Sequence, residues 1–297
     1  FKISFKITLQ LFFVIIFFST LEAKNADKFK DSSKVSNYFS GILMLNDYQY
    51  LNSYKYLKKL KGLEESHLNF SSNFINSLVN SGKINEAYLY SKKLEKKNLN
   101  TFESDLIIGI YYLKTKKIDL AQKYFLSLKN KNFNFVLNNF VSNSIYNWSS
   151  FKDIDIKIAE ENIDSINKKF ENLKDIQKAF LHCFYGSKKT EFYFKKLISN
   201  PKVNFSRYNY FYSKYLMSVN KNKQAKKVID EALELYPRNL ILNQFKLDFN
   251  QEKNKNNFSC KDQSNIIAEI FYITANALSS QSVYQLSNFY LNLAKYL

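Results

Sequence analysis

Two histidines, two cysteines and a few paired carboxylates are the groups in this chain that could do chemistry, and their spacing argues against catalysis. His67 and His182 each lack the second histidine one helical turn away that a helix-borne zinc site needs. His182 and Cys183 are adjacent, which on a helix turns their side chains about 100° apart, so the imidazole does not face the thiol as a base. Gly186-Ser187-Lys188-Lys189-Thr190 superficially suggests a phosphate loop but lacks its second glycine. Glu64 with Glu65, Asp153 with Asp155, and Glu160 with Glu161 have no second acidic pair at metal spacing and read as solvated helix faces. The expectation is a protein that is not an enzyme and carries no catalytic residue, metal or cofactor.

Cys183 and Cys260 lie 77 residues apart. A bridge requires their Cα atoms to come within about 7 Å. In an open repeat array, residues more than two repeats apart rarely touch, so two free core thiols are expected, with a disulfide as the alternative.

The elements that position these residues are set by a repeat. Gly41 with Ser53, Ile75 with Ala87, and Gly109 with Ala121 share one frame of 34 residues, each small partner lying twelve residues after the first position. Units begin near Lys34, Leu68, Phe102, Asn172, Ser206 and Ala268. Within Leu68 to Thr101, Phe70, Phe74, Leu78 and Val79 recur at helical spacing, Ser81-Gly82 interrupts them, and Ile84, Ala87, Leu89 and Leu94 resume. Such a period marks stacked antiparallel helix pairs, with the small residues where the two helices cross. Five glycines and two prolines among 297 residues are too few for an all-β fold. Glu191 stands where the fifth unit needs a small crossing residue, and Ile75 replaces the glycine of the second; a shifted or splayed pair is expected at both. Trp148 is expected as a buried wedge between repeats.

The segment Tyr212-Ser213-Lys214-Tyr215-Leu216 with Ala225, Ile229, Ala232 and Pro237 resembles the tetratricopeptide repeat. Phe102 to Phe135 is similar through Ile108-Gly109, Tyr112, Ala121, Phe125 and Leu128. The end of the chain is similar through Ala275, Leu278, Tyr284, Ser287, Leu291 and Ala294. The resemblance implies an all-α, right-handed superhelical solenoid of antiparallel helix pairs. The expected division is a signal peptide over 1–23, a linker over 24–33, three repeats over 34–135, a degenerate repeat with an insertion over 136–171, two repeats over 172–239, a degenerate segment over 240–267, and a final, truncated repeat over 268–297.

Lys2 and Lys6, the apolar run Leu11 to Phe18 and Leu21-Glu22-Ala23 read as a secretory leader cut after Ala23. An exported, periplasmic protein with envelope association as an option follows, an uncleaved anchor being the alternative. No second apolar run of that length predicts a membrane span. The net charge of +18 is lysine, since Arg207 and Arg238 are the only arginines. Nucleic-acid sites favour arginine forks, and these lysines are spread along the chain, so no nucleic-acid partner is expected. Binding of an anionic polymer or membrane surface remains the second reading.

The first reading is protein binding. The resemblance implies a concave groove lined by the first helix of each unit, where peptide ligands lie. Asn69, Asn73, Asn76 and Asn80 form one stripe on the first helix of the second unit, opposite Phe70, Phe74 and Leu78, and amides suit an extended backbone. Arg207, Tyr210 and Lys214 form the equivalent stripe in the unit from Ser206, suited to an acidic or C-terminal group.

Overall fold

The computed structural model describes residues 32–67, 69–131, 133–200, 203–251 and 258–297. The expected leader, and the expected linker up to residue 31, lie outside these. Among the described residues there are fifteen α-helices and no strand. Six successive pairs come first: α1 (32–46) with α2 (Tyr50–Leu57), α3 (Phe70–Asn80) with α4 (Ile84–Lys96), α5 (Phe102–Lys114) with α6 (Ile118–Asn130), α7 (Val136–Ser150) with α8 (Ile156–Asp164), α9 (Glu171–Tyr185) with α10 (Thr190–Ile198), and α11 (Arg207–Ser218) with α12 (Asn222–Leu235). A single helix, α13 (Leu240–Asn250), follows, and α14 (Gln263–Ser280) with α15 (Tyr284–Tyr296) closes the chain.

The backbone shows the period directly. Positive φ occurs at Tyr48, Gly82 and Lys116, which are 34 residues apart, and again at Gly186 and Asn220, also 34 apart. Each ends a first helix in the same way: the amide after it reaches back to a carbonyl five residues earlier, as in Lys83 to Leu78 at 2.8 Å, Lys117 to Tyr112 at 2.9 Å and Lys221 to Leu216 at 2.8 Å. Such a left-handed cap satisfies end carbonyls and reverses the chain. Ser282 does the same between α14 and α15, with Val283 bonded to Leu278 at 3.0 Å. The pair α7–α8 instead turns through a 3-10 segment at Phe151–Asp153, within the stretch expected to carry an insertion.

The second helices share a buried ladder, a small residue followed by partners four and seven positions on. It reads Ser53 and Leu57 in α2 with Leu60 in the 3-10 turn that follows; Ala121, Phe125, Leu128 in α6; and Ala225, Ile229, Ala232 in α12. In α10 the ladder is Thr190, Phe194, Leu197, so Thr190 is the crossing residue. Only four residues separate it from Gly186, where five separate Lys116 from Ala121. Glu191 is thereby displaced to the rim, where it meets Lys221. This is the shift of one residue expected there.

The glycines make room for large side chains from the partner helix. A Cβ on Gly109 would lie 2.3 Å from the Phe125 ring, and one on Gly41 would lie 2.5 Å from Leu57 Cδ2. Where Ile75 replaces glycine, the residue sixteen positions on is Ser91 instead of Leu or Phe, and both are fully buried. Large and small exchange places, which conserves volume at the crossing. In α11–α12 the small pair is itself in contact, Ser213 donating to the Ala225 carbonyl at 3.1 Å.

The chain does not remain an open array. Beyond α13, which packs on α11 and α12 around Ile229, Ala232, Leu242 and Phe245, the pair α14–α15 turns back and lies against α7 and α3. In the stretch expected as the final repeat from 268, helix α14 starts at Gln263 and packs on α7. Its internal register is as expected, with Ser287 donating to the Ala275 carbonyl at 2.8 Å. Its buried face is rotated: Leu291 is exposed, while Phe289, Tyr290 and Leu293 are buried. One continuous core therefore runs from α2 to α15.

This return brings Cys183 and Cys260 to a Cα separation of 5.9 Å in a disulfide, correcting the expectation of free thiols. The rule that distant repeats do not touch fails because the chain doubles back.

Candidate functional site

The inner helices show the consequence of the return. On α5, Ser104 to Ile110 are buried without a break, and on α9 so are Ala179 to Cys183. A helix buried on every side has neighbours on both; the end of α5 meets the end of α15 where Lys114 reaches the Tyr296 ring and the Leu297 carbonyl, and α9 meets the 258–262 segment through the Cys183–Cys260 disulfide. Seen from the C-terminal pair, α15 crosses from the first unit to the third. Tyr284 meets Tyr48 edge to face, Asn288 donates to the Tyr50 hydroxyl at 2.7 Å, and the Leu297 carbonyl accepts from Lys114 at 3.0 Å. Asp262, just before α14, pairs with Lys116 at 3.0 Å, and Gln263 donates to the Trp148 carbonyl at 2.7 Å.

The asparagine stripe lies under this cover at one end. Asn80 donates to the Gln285 carbonyl at 3.3 Å and accepts from Asn292 at 3.4 Å. Asn76 donates to Ser72 of its own helix at 2.9 Å, Asn73 is half-buried, and Asn69 is exposed at the start of α3. The four residues share a helix but do not present one open ladder.

The second stripe is also divided. Arg207 binds Glu269 of α14 through two hydrogen bonds of 2.9 Å, and its guanidinium lies 4.0 Å from the Tyr272 ring centre. Burial raises the Glu269 carboxyl above its usual range, against the pull of Arg207. Tyr210 packs edge to face on Phe245. Lys214, whose ammonium lies 5.8 Å from the Phe245 ring centre, lines an open space.

That space is a cavity of about 1310 Å³ on the inner face of the last units, where the hairpin stops. One wall is α11 with Phe211, Lys214 and Tyr215; a second is the end of α13 with Asp248 and Phe249. The third is the segment from Phe258 to Asp262 with the disulfide. Burial lowers the pKa of Lys214, partly offset by Asp248, and burial also lowers that of Lys261. Lys261 donates to the Phe184 carbonyl at 2.6 Å, an end carbonyl of α9. Aromatic rings beside Asn220, Asn222 and Asn265 suit apolar side chains and peptide amides together. The α13 and 258–262 walls were illegible in the sequence, since nothing there signals that the chain turns back.

Trp148 is fully buried as expected. Its Nε1 donates to Gln177 at 3.0 Å, and Gln177 donates to Ser144 at 3.2 Å, a polar chain joining α7 to α9. His182 is buried, lies parallel to the Tyr193 ring at 4.1 Å, and has Glu160 at 3.7 Å, beyond hydrogen-bond distance. Among the described residues no three His, Cys, Asp or Glu side chains group as metal ligands, and no helix is long and apolar enough to cross a membrane.

Fold and site together define an all-helical, repeat-like protein whose α14–α15 pair turns back onto α3 and α7. No family model matches the sequence, and no curated protein matches it. Among solved structures the chain is similar to the apo form of the quorum sensor NprR from B. thuringiensis, at 13% identity and a TM-score of 0.46, over 88% of this chain and 87% of that one.

Proposed function

We propose that this chain is a tetratricopeptide-like interaction protein that binds a segment of a partner protein in the cleft between α11, α13 and residues 258–262. The carrying observation is the cavity, which combines rings, amides and two lysines on the inner face that α14–α15 leaves uncovered. The ligand is one extended segment, because the inner face of the earlier units is already packed. The right-handed superhelical path implied by the resemblance belongs to the same proposal.

Export to the periplasm is part of this reading. A disulfide persists in an oxidising compartment, and the Cys183–Cys260 bond supports that location beside the leader-like residues 1–23. The anionic-polymer alternative gains little. Many lysines are spent locally, as Lys93 on Glu64 at 2.9 Å and Lys131 on Asp105 at 2.7 Å.

Selection of displayed peptides on the purified mature chain tests the proposal. Phe249→Ala and Lys214→Glu should each weaken the selected peptides at least about tenfold, a loss of roughly 1.4 kcal/mol, with the melting temperature unchanged. Asn73→Trp on α3 should leave them bound. The opposite pattern returns the site to the asparagine stripe.

A further inference from the structure

The geometry points to the Cys183–Cys260 bond as a redox-controlled latch on one wall of the cleft, an inference that rests on the cleft being the binding site. Both cysteines line the cavity, so a thiol entering it meets the bond without unfolding the chain. The bond fastens a segment, Phe258 to Asp262, that contains no helix and leads directly into α14; the neighbouring elements are fixed without it. On one side α13 is held by Leu242 and Phe245 against α12. On the other, α14 is held by a buried face from Ile266 to Leu278.

What else holds the segment is slight. The Phe258 ring packs on Phe211 at 4.5 Å and Phe180 at 5.5 Å, Lys261 caps α9, and Asp262 pairs with a largely exposed Lys116. An exposed ion pair restrains little. Without the disulfide, the wall is tied by the Phe258 ring, the Lys261 ammonium and the Asp262 cap on the first turn of α14, where the Ser264 amide donates to its carboxylate at 2.9 Å.

The chemistry is thiol–disulfide exchange with a dithiol. A dithiol thiolate attacks Cys260 Sγ, the Cys183–Cys260 bond breaks, and Cys183 leaves as a thiolate that takes up a proton. The second thiol of the reagent then attacks the mixed disulfide and releases Cys260, so the dithiol departs oxidised by two electrons and the chain gains two thiols. Transfer in the other direction, from a disulfide of the same class, restores the wall.

The test is to treat the full mature chain with dithiothreitol under native conditions and label it briefly by hydrogen exchange. Reduction should proceed within tenfold of its rate in the unfolded chain. Amides of 258–262 should lose protection by at least tenfold, while those of α3 and α7 stay protected. Reduction that requires unfolding, an unchanged segment, or protection lost throughout the chain would each overturn the latch. Peptides selected on the oxidised chain should bind at least tenfold more weakly after reduction; equal binding overturns the control. The exchange readout needs no ligand, so a failure to select any peptide counts against the cleft while the latch is judged by exchange. Cys183→Ser with Cys260→Ser should match the reduced chain in both readouts.

Discussion

Arg207 on α11 grips Glu269 on α14 with both carboxylate oxygens at 2.9 Å, across 62 residues of sequence, and Tyr208 adds a hydroxyl at 3.3 Å. This pair ties the returning hairpin to the sixth unit. Removing the guanidinium leaves a carboxylate that is 4% exposed without its cation, a change that costs about 3–5 kcal/mol. Arg207→Ala is expected to lower stability in urea titrations by that order. The carboxyl's folded pKa is raised, so the folded state binds more protons than the unfolded one above the ordinary pKa of 4.5, and its contribution falls as pH rises. The Arg207→Ala defect should thus be smaller near pH 4 than near pH 7; a defect that does not change with pH counts against an unpaired buried charge.

Gly109→Ala should cost about 1–3 kcal/mol, since the added methyl lands 2.3 Å from a buried ring that cannot rotate away. Gly41→Ala should cost less, because its neighbour is the flexible end of Leu57. Combining Gly109→Ala with Phe125→Leu should recover part of the loss in thermal melts. Equal effects at the two glycines would show that close packing is not their role.

His182 predicts a loss of stability in mild acid. Burial lowers its pKa from 6.5, with Glu160 opposing and Lys178 and Lys189 reinforcing the shift, so the unfolded chain binds the proton more readily. Stability therefore falls as pH drops below 6.5. Glu64 acts further down: burial raises its pKa, but Lys93 and the Gly62 amide outweigh that and bring it to about 2, so its contribution is lost between 4.5 and about 2. In pH-dependent denaturation, His182→Phe should flatten the first slope and Glu64→Gln the second. A single slope that survives both changes would assign the acid sensitivity elsewhere.

Gln177→Leu strands the Trp148 Nε1 donor in the core, at a cost of about 1–3 kcal/mol. Trp148 is the only tryptophan, so its emission reports this site alone. Earlier unfolding by fluorescence than in the parent chain is expected, and coincident transitions would remove the bond's role.

Much of the array was legible because its signals are local. The 34-residue frame rests on Gly41, Ile75 and Gly109, and the backbone repeats it at Tyr48, Gly82 and Lys116. Sequence reading marked the turn at Gly82, which is glycine; Lys116, Asn220 and Ser282 take the same left-handed conformation without that label. Ser91 facing the Ile75 position was overlooked because a serine in a helix carries no signal until its partner's volume is known. The site was least legible. Arg207, read as a ligand contact, serves α14, and Asn80 serves α15, because a helix pair with a correct repeat register can stack on the end of an array or turn into it. Local patterning does not distinguish the two.

The return of α14–α15 also has a cost during synthesis. A ribosome releases the units in order, and α3 and α7 emerge with apolar residues whose cover, α14–α15, is encoded well downstream. An open solenoid can fold behind the ribosome one repeat at a time. Here α14 and α15 must arrive before that surface is covered. Until then the nascent protein is a sticky partial structure, and its completion is a late, long-range event that exposes it to aggregation or to a holding chaperone.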